Sequence, residues 1–490
     1  MSKFNRRQFV KGSAVGSAAL AVSFNPWARV LGANERINSA VAGIGGRGGS
    51  HMNALEKSRM GNVVGLCDVD ATILDRVASG FEKKYKRKVD KAVDVRRLLD
   101  RKDIDVLTIA TPNHWHALMT IWAVQAGKDV YVEKPVSHNV WEGRQIVNAA
   151  RKHKKIVQTG TQSRSSQSSI GEAVKWTQSG KLGKILYAVG TCFKPRRSIG
   201  KLDKPLEIPD HIDYDKWCGP ALKVPLFRPR LKYDWHWDFN TGCGDIGNQG
   251  IHQMDVARWF LGESKLSPRV ISIGGRLGYD DAGDTPNTQT VLHDYPNAPL
   301  IFETRGLPNK DLNWKTGMPR YRGSGVGVLV QCENGHVLIP NYYSAKAYDK
   351  DGKEVKNWRS GDPMTAHVTN FLKACQSRKH SELNADIEEG HISSALCHTG
   401  NVSHRLGSKA PAGKIREAIK GDKLFAESFE RFREHLGANG IDITKGVATL
   451  GPVLEMNPDT ETFTNNAKAN ELLTRPYRKG YVVPDLSGSL

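Results

Sequence analysis

Short apolar runs alternate with helix-periodic segments through the first third of the chain. Runs at residues 37–44, 62–67, 106–110, 130–132 and 156–159 read as buried strands. The segments 51–57, 74–84, 93–99, 117–126 and 140–152 carry apolar residues at helical spacing, and Gly127 is a suitable C-cap for the fourth. This alternation predicts an α/β unit with a parallel sheet and helices on both faces. After about Gln162, strands succeed one another instead, at 185–191, 270–273, 288–292, 300–303, 327–331 and 336–339. The turns Tyr295-Pro296-Asn297 and Glu333-Asn334-Gly335 predict antiparallel hairpins. A stretch rich in Pro, Trp and Tyr, 194–245, is expected to be irregular, and loops of that length are usually functional. Helices are expected again at 366–376, 387–406 and 414–435.

The chain has 490 residues, 39% of them apolar, which suits two or more domains with real cores and excludes disorder. Its seven cysteines are scattered without a CxxC pair, so neither a disulfide framework nor a thiolate zinc site is indicated. No apolar run approaches the roughly 20 residues of a membrane span. The net charge of +20 raises nucleic acid as a partner until its placement is considered. Lys3, Arg6, Arg7, Lys11 and Arg29 all fall in residues 1–33, which contain no acid and include a small apolar stretch at 12–22. That is the layout of an export signal. Asn5-Arg6-Arg7-Gln8-Phe9-Val10-Lys11 resembles the twin-arginine signal, read by an export route for folded proteins. The twin-arginine machinery is therefore an expected partner, the periplasm or exterior the expected location, and cleavage is expected near Ala33. The densest remaining clusters, 83–88 and 151–155, sit at the ends of predicted helices, where cations complement the helix dipole. No nucleic-acid partner is indicated.

Val41-Ala42-Gly43-Ile44-Gly45-Gly46-Arg47-Gly48 sets GxGxxG directly between the first strand and a helix. Glycines there permit a tight turn and close approach of backbone to a pyrophosphate, which the helix N-terminus stabilises. Asp68 lies 20 residues past Gly48, at the end of the second strand. A carboxylate there accepts bonds from ribose hydroxyls and repels a 2′-phosphate, so NAD is expected. Arg47 keeps NADP open, because it can accommodate that phosphate.

Further motifs follow in series: Thr111-Pro112-Asn113-His114-Trp115-His116, Val132-Glu133-Lys134-Pro135, Gly160-Thr161-Gln162-Ser163-Arg164, and residues 242–255, which include Asp245, Asn248, His252 and Asp255. With them, residues 38–407 resemble the glucose–fructose oxidoreductase/inositol dehydrogenase family. The resemblance implies an N-terminal Rossmann domain, a doubly wound parallel sheet, and a C-terminal α+β domain on an open, mostly antiparallel sheet. The substrate then sits between them, and the open sheet face implies a homo-oligomer. The expected division is a signal at 1–33, a NAD(P)-binding domain at 34–161, a substrate and oligomerisation domain at 162–410, and a helical and irregular extension at 411–490. Together with Gly43, Gly45, Gly46, Arg47, Gly48 and Asp68, the motifs imply cofactor contacts from Thr111, Asn113, His116, Glu133, Lys134 and Gln162.

Oxidising a secondary alcohol removes hydride from carbon and a proton from the hydroxyl, so a base or relay must sit at the oxygen. Lys134 falls just past a parallel strand, where ligands of such sheets bind, and a neighbouring positive nicotinamide lowers its pKa. The resemblance assigns it a catalytic role. His252 is expected as general base or acid, with Asp255 one helical turn further on as its orienter or a helix charge. Many family members carry Asp four residues before this His; here Asn248 fills the slot and cannot exchange a proton as a carboxylate does. Asn248 is expected to bond substrate, and Asp245 is a candidate to take over the relay. Trp235 and Trp237, flanking His236, offer rings for the apolar face of a sugar, or else form an inter-domain packing cluster. A metal at His236, His252 and Asp255 matches no strong ligand spacing, and none is expected.

Free nicotinamide cofactor is not expected outside the cytoplasm, so an exported member should carry its cofactor out and recycle it in place. The reading is an NAD(P)-dependent oxidoreductase acting on a secondary hydroxyl of a sugar or cyclitol. A glycoside-cleaving enzyme or epimerase using transient oxidation is the alternative on the same scaffold. A cofactor-bound sugar-binding or regulatory protein is the alternative without turnover.

Overall fold

The computed structural model describes residues 36–488; the expected signal at 1–33 lies outside them. The first unit runs β1 (Ile37–Ala42), α1 (Gly48–Lys57), β2 (Gly61–Cys67), α2 (Ala71–Tyr85), β3 (Asp90–Ala92), α3 (Arg96–Leu99), β4 (Val106–Ile109), α4 (Asn113–Gln125), β5 (Asp129–Val132), α5 (Val140–Lys152) and β6 (Val157–Thr159). Its six strands are all parallel in the order β3-β2-β1-β4-β5-β6. β4 and β5 are buried along their whole length, as strands covered on both faces must be. The order reverses between β1 and β4, and ligands of such sheets bind at that switch. Lys83, Lys84, Arg151 and Lys152 occupy last helical turns, as their clustering predicted.

A second sheet follows, through α6 (Glu172–Gln178), β7 (Ile185–Phe193), α7 (Tyr214–Cys218), α8 (Ile251–Leu261), β8 (Arg269–Gly275), β9 (Thr288–His293), β10 (Leu300–Arg305), β11 (Val326–Cys332), β12 (Gly335–Asn341), β13 (Ser344–Asp349) and β14 (Glu354–Arg359). Both predicted hairpins form, β9–β10 and β11–β12, while β7 and β10 pair in parallel. β14 escaped prediction because it is an exposed edge on which only Trp358 is buried, so it carries no apolar alternation. One sheet face packs against α8 and α10 (Ile387–Leu406) through Val291, Phe302, Met254, Phe260 and Leu396. Between them, α9 (Met364–Ser377) returns to the first unit and packs Met364, Val368 and Phe371 with Leu55 and Tyr131.

The region expected as one helix at 414–435 forms two, α11 (Ala412–Ile419) and α12 (Lys423–Ala438). Gly421 and Asp422 interrupt an otherwise continuous amphipathic pattern. Phe425, Phe429, Phe432 and Leu436 form a fully buried stripe against Ile271, Ile273, Leu292 and Ile301. The extension thus covers, over β8–β10, the sheet face that the resemblance implied for subunit contacts. The chain then adds β15 (Ser408–Ala410), which precedes α11, and β16 (Ala448–Leu450) and β17 (Leu454–Asn457) beside β8. It ends on the first unit, where Val483 and Leu486 join the core. Among the described residues no helix is long and apolar enough to cross a membrane, and all seven cysteines are buried and unbridged.

Phe429→Ala is expected to cost about 3–5 kcal/mol, the usual range for a buried Phe truncation, and to loosen α12 from the sheet. Denaturant unfolding reads the first effect, and size-exclusion chromatography the association that an uncovered apolar face promotes.

Candidate active site

Gly43 adopts φ +78°, and a Cβ there would lie 2.6 Å from the Ala110 backbone. A Cβ on Gly48 would lie 2.4 Å from the Gly43 carbonyl oxygen, so these two glycines close the turn. Gly46 differs, with nothing within 4 Å of its Cβ position, because it faces a cavity of about 540 Å³. Gly43, Gly45, Gly46, Arg47, Asp68, Thr111, Asn113, His116, Glu133, Lys134 and Gln162 line this cavity; Gly48 lies beneath the turn. Asp68 is set by the N–H groups of Ile44 (3.0 Å) and Asp70 (3.1 Å), and burial raises its pKa against those bonds. Arg47 is turned to Glu133, its Nε 2.7 Å from the carboxylate.

Several buried atoms of lining residues lack a protein partner: Thr111 Oγ1, Asn113 Oδ1, Gln162 Oε1 and His252 Nδ1. Buried polar atoms are ordinarily paired, so their convergence on one cavity fits a polar ligand. A glycine turn at a helix N-terminus with an acid at the next strand end fits a dinucleotide in particular.

Lys134, Asn248 and His252 meet at the far end of the cavity. Lys134 Nζ donates to the Asn248 carbonyl at 2.7 Å. Burial lowers the Lys134 pKa; Glu133 opposes the shift, and Arg47 and Lys194 reinforce it. His252, at the start of α8, is held well below the usual histidine range by burial and by the Lys134 charge. Its ring lies 4.9 Å from that of Tyr342, whose hydroxyl accepts from Gln249 at 2.7 Å. Trp235 lines the cavity and stacks on His236 at 3.5 Å.

Three of the residues singled out in the sequence lie off the cavity wall. Asp245 does not line the cavity: both oxygens are taken by Arg196, at 2.6 and 2.9 Å. Trp237 also lies off the wall, buried with the Arg196 guanidinium 5.0 Å over its ring, so it packs rather than presents a sugar face. Asp255 bonds Arg164 at 2.9 and 3.0 Å and Ser393 at 2.7 Å, and makes no bond to His252 among the described residues. Among those residues, no three His, Cys, Asp or Glu side chains gather as metal ligands.

Part of the stretch 194–245 forms a strap across the cofactor end. The His211 carbonyl accepts from Ala71 N (2.9 Å), and Asp213 N donates to Val69 O (3.0 Å). Trp115 Nε1 donates to the carbonyls of Lys216 (2.9 Å) and Trp217 (3.1 Å). Ile212, Lys216 and Trp217 therefore form part of the cavity wall. The C-terminal segment fastens this strap: Arg475 donates to Asn240 at 2.7 and 2.8 Å, and Arg478 to the Asp215 carboxylate and, at 2.9 Å, its carbonyl. Tyr481 adds its ring to the wall, edge-on to Trp115 at 5.6 Å. Neither Tyr481 nor Tyr342 carries a sequence signal, because each reaches the site from a distant segment.

Residues 37–161 match the model of an oxidoreductase family with an NAD-binding Rossmann fold, and residues 178–301 match its C-terminal alpha/beta domain. The chain belongs to this family, the glucose–fructose oxidoreductase/inositol dehydrogenase family. Residues 3–23 match the twin-arginine translocation signal, so the protein is exported by that route. A glycosyl hydrolase family 109 protein of Shewanella baltica is 28% identical over 177 residues, covering 32% of this chain and 39% of that relative. A levoglucosan dehydrogenase of Pseudarthrobacter phenanthrenivorans is 28% identical over 273 residues, covering 55% of this chain and 60% of that relative. The matches thus span less than two thirds of either relative. The fold is similar to a levoglucosan dehydrogenase solved with NADH and levoglucosan, at TM-score 0.55 and 18% identity over 75% of this chain and 98% of that one.

Removing the Asp68 carboxylate in Asp68→Ala is expected to narrow the preference for NAD over NADP at least about tenfold, or 1.4 kcal/mol, as measured by competitive reconstitution. Arg475→Ala/Arg478→Ala is expected to free the strap. Nucleotide then escapes on prolonged dialysis, assayed in deproteinised samples beside the unaltered protein.

Proposed function

We propose that the protein is an exported oxidoreductase that acts on a secondary hydroxyl of a sugar or cyclitol and keeps its NAD bound through turnover. The carrying observation is the meeting of half-buried Lys134 and buried His252, both shifted toward their neutral forms, beyond a glycine cradle. Gly43, Gly45, Gly46, Asp68, Thr111, Asn113 and Gln162 are the residues to hold the dinucleotide. When bound, NAD supplies a hydride acceptor and donor. Lys134, as the neutral amine, takes the proton of the reacting hydroxyl and returns it on reduction. His252, on the cavity wall, offers its ring to the same or the adjacent hydroxyl. Asn248 can donate to and accept from substrate through its amide but cannot carry the proton. Trp235 supplies an apolar wall for the sugar face. The strap and tail favour retention of the cofactor, which an exported enzyme without a free nicotinamide pool requires.

A second reading is favoured by the family 109 glycosyl hydrolase relatives. In it, transient oxidation of a glycoside acidifies the neighbouring C–H, and the Lys134–His252 pair removes that proton while the aglycone leaves. Product analysis separates the two, since a stable keto sugar supports the first and a released aglycone the second.

Deproteinised enzyme is expected to release NAD(H) in stoichiometric amount. Lys134→Ala and His252→Ala are each expected to lower turnover at least about 100-fold with cofactor content unchanged, and undiminished activity overturns their assignment. The single-turnover rate should rise with pH along a limb whose midpoint lies below the ordinary lysine range, because the depressed Lys134 pKa frees the amine at lower pH. That limb should vanish in Lys134→Ala.

A further inference from the structure

Charge is unevenly answered at the two ends of the cavity. Asp68, Asp70 and Asp94 line the ribose end with Arg96, which bonds Asp94 at 2.6 Å, and Lys216, which bonds Asp213 at 2.6 Å. At the other end the lining cations are Lys134, Lys194 and Lys232, and the one lining carboxylate is Glu133, already engaged by Arg47 at 2.7 Å and His51 at 3.0 Å. Asp245, just behind the wall, is held through both oxygens by Arg196. Lys194 follows β7 and is half-buried; its own N–H donates to the Arg305 carbonyl at 3.1 Å. Its ammonium has no ion-pair partner among the described residues, whereas the nearby Arg196, Arg228 and Arg276 are each paired with an aspartate. A partly desolvated ammonium without a counter-ion is costly, so a ligand that brings one gains both the contact and relief of that cost.

We infer that the substrate is a sugar acid whose carboxylate pairs with Lys194, with Lys232 at the mouth of the same end. One half-buried ammonium and one exposed one suit a singly charged carboxylate; the wall there offers no free guanidinium fork of the kind that grips phosphate. Trp235 beside them takes the apolar ring face while Lys134 and His252 address the hydroxyl. The inference rests on the oxidoreductase reading only for where the reacting carbon lies; the anion contact is a matter of binding.

The test uses the cofactor-loaded protein with D-glucuronate and D-galacturonate against D-glucose and D-galactose, reading reduction of bound cofactor and the shift in melting temperature. Uronates are expected to show at least tenfold higher kcat/KM than their neutral counterparts. Lys194→Ala is expected to raise the uronate KM at least tenfold and to leave the neutral-sugar KM unmoved, while any change in kcat through the Lys134 pKa falls equally on both classes. Lys194→Met, which keeps the apolar stem, should behave alike and guards against a folding defect. Equal or better use of neutral sugars, an equal effect of Lys194→Ala on the KM of both classes, or failure of uronates to bind overturns the inference. Uronates that stabilise the protein in a Lys194-dependent way without reducing its cofactor support this inference and defeat the oxidoreductase reading instead.

Discussion

The site depends on how the protein keeps the Glu133 carboxylate ionised in its interior. A buried carboxylate is tolerated only when its charge and lone pairs are answered. Burial by itself would raise the Glu133 pKa, but Arg47 and His51 outweigh it and hold the group well below the usual range. Arg47 and His51 belong to the entry and first turn of α1, Glu133 follows β5, and Gly160, after β6, approaches so closely that a Cβ would sit 3.0 Å from the carboxylate. One buried charge therefore ties two strand ends to the helix that follows the nucleotide turn. Removing Arg47 or His51 would leave the buried carboxylate with one partner fewer, a cost that here would be spread over the whole cradle. The same pairing engages Arg47, leaving Asp68 as the group proposed to meet the ribose.

Closure of the cavity comes from segments far apart in sequence. His114 and Trp115 open α4 and point to strap carbonyls, with His114 Nε2 2.9 Å and Trp115 Nε1 3.1 Å from the Trp217 oxygen. These residues, conspicuous as a motif, therefore anchor the cover, while Thr111 and Asn113 beside them line the cavity. The tail repeats the device from outside through Arg475, Arg478 and Tyr481. In the proposed function, a nucleotide beneath such a cover would leave only after several backbone-directed bonds break together, which suits a protein that folds before it is exported.

What was legible in the sequence followed from locality. The glycine turn, Asp68, Lys134 and His252 stand in short motifs whose chemistry depends on near neighbours, and the alternation of strands and helices fixed the parallel sheet. Misreadings arose where a side chain answers to a distant partner. Asp245 looked available because Arg196 is 49 positions away and nothing in spacing pairs them. Trp237 looked like Trp235 because sequence cannot tell which of two near-adjacent rings turns inward. The amphipathic stripe of α11 and α12 is continuous enough to hide a break, and the polar edge strand β14 shows no pattern at all. Lys194, Tyr342 and Tyr481 were invisible for the same reason: their roles exist only in the folded cavity.

Net charge proves less informative than where charge is left unanswered. The +20 of the chain is spread over helix ends, ion pairs and a signal segment, so it sets no partner by itself. At Lys134 the outcome is decided locally, since burial disfavours the ammonium, Glu133 favours it, and Arg47 and Lys194 disfavour it again. Burial is the largest of these effects, so the pKa falls although an ionised carboxylate stands beside the lysine. Arg47 acts on both groups at once, since the guanidinium that holds Glu133 ionised also disfavours the Lys134 ammonium.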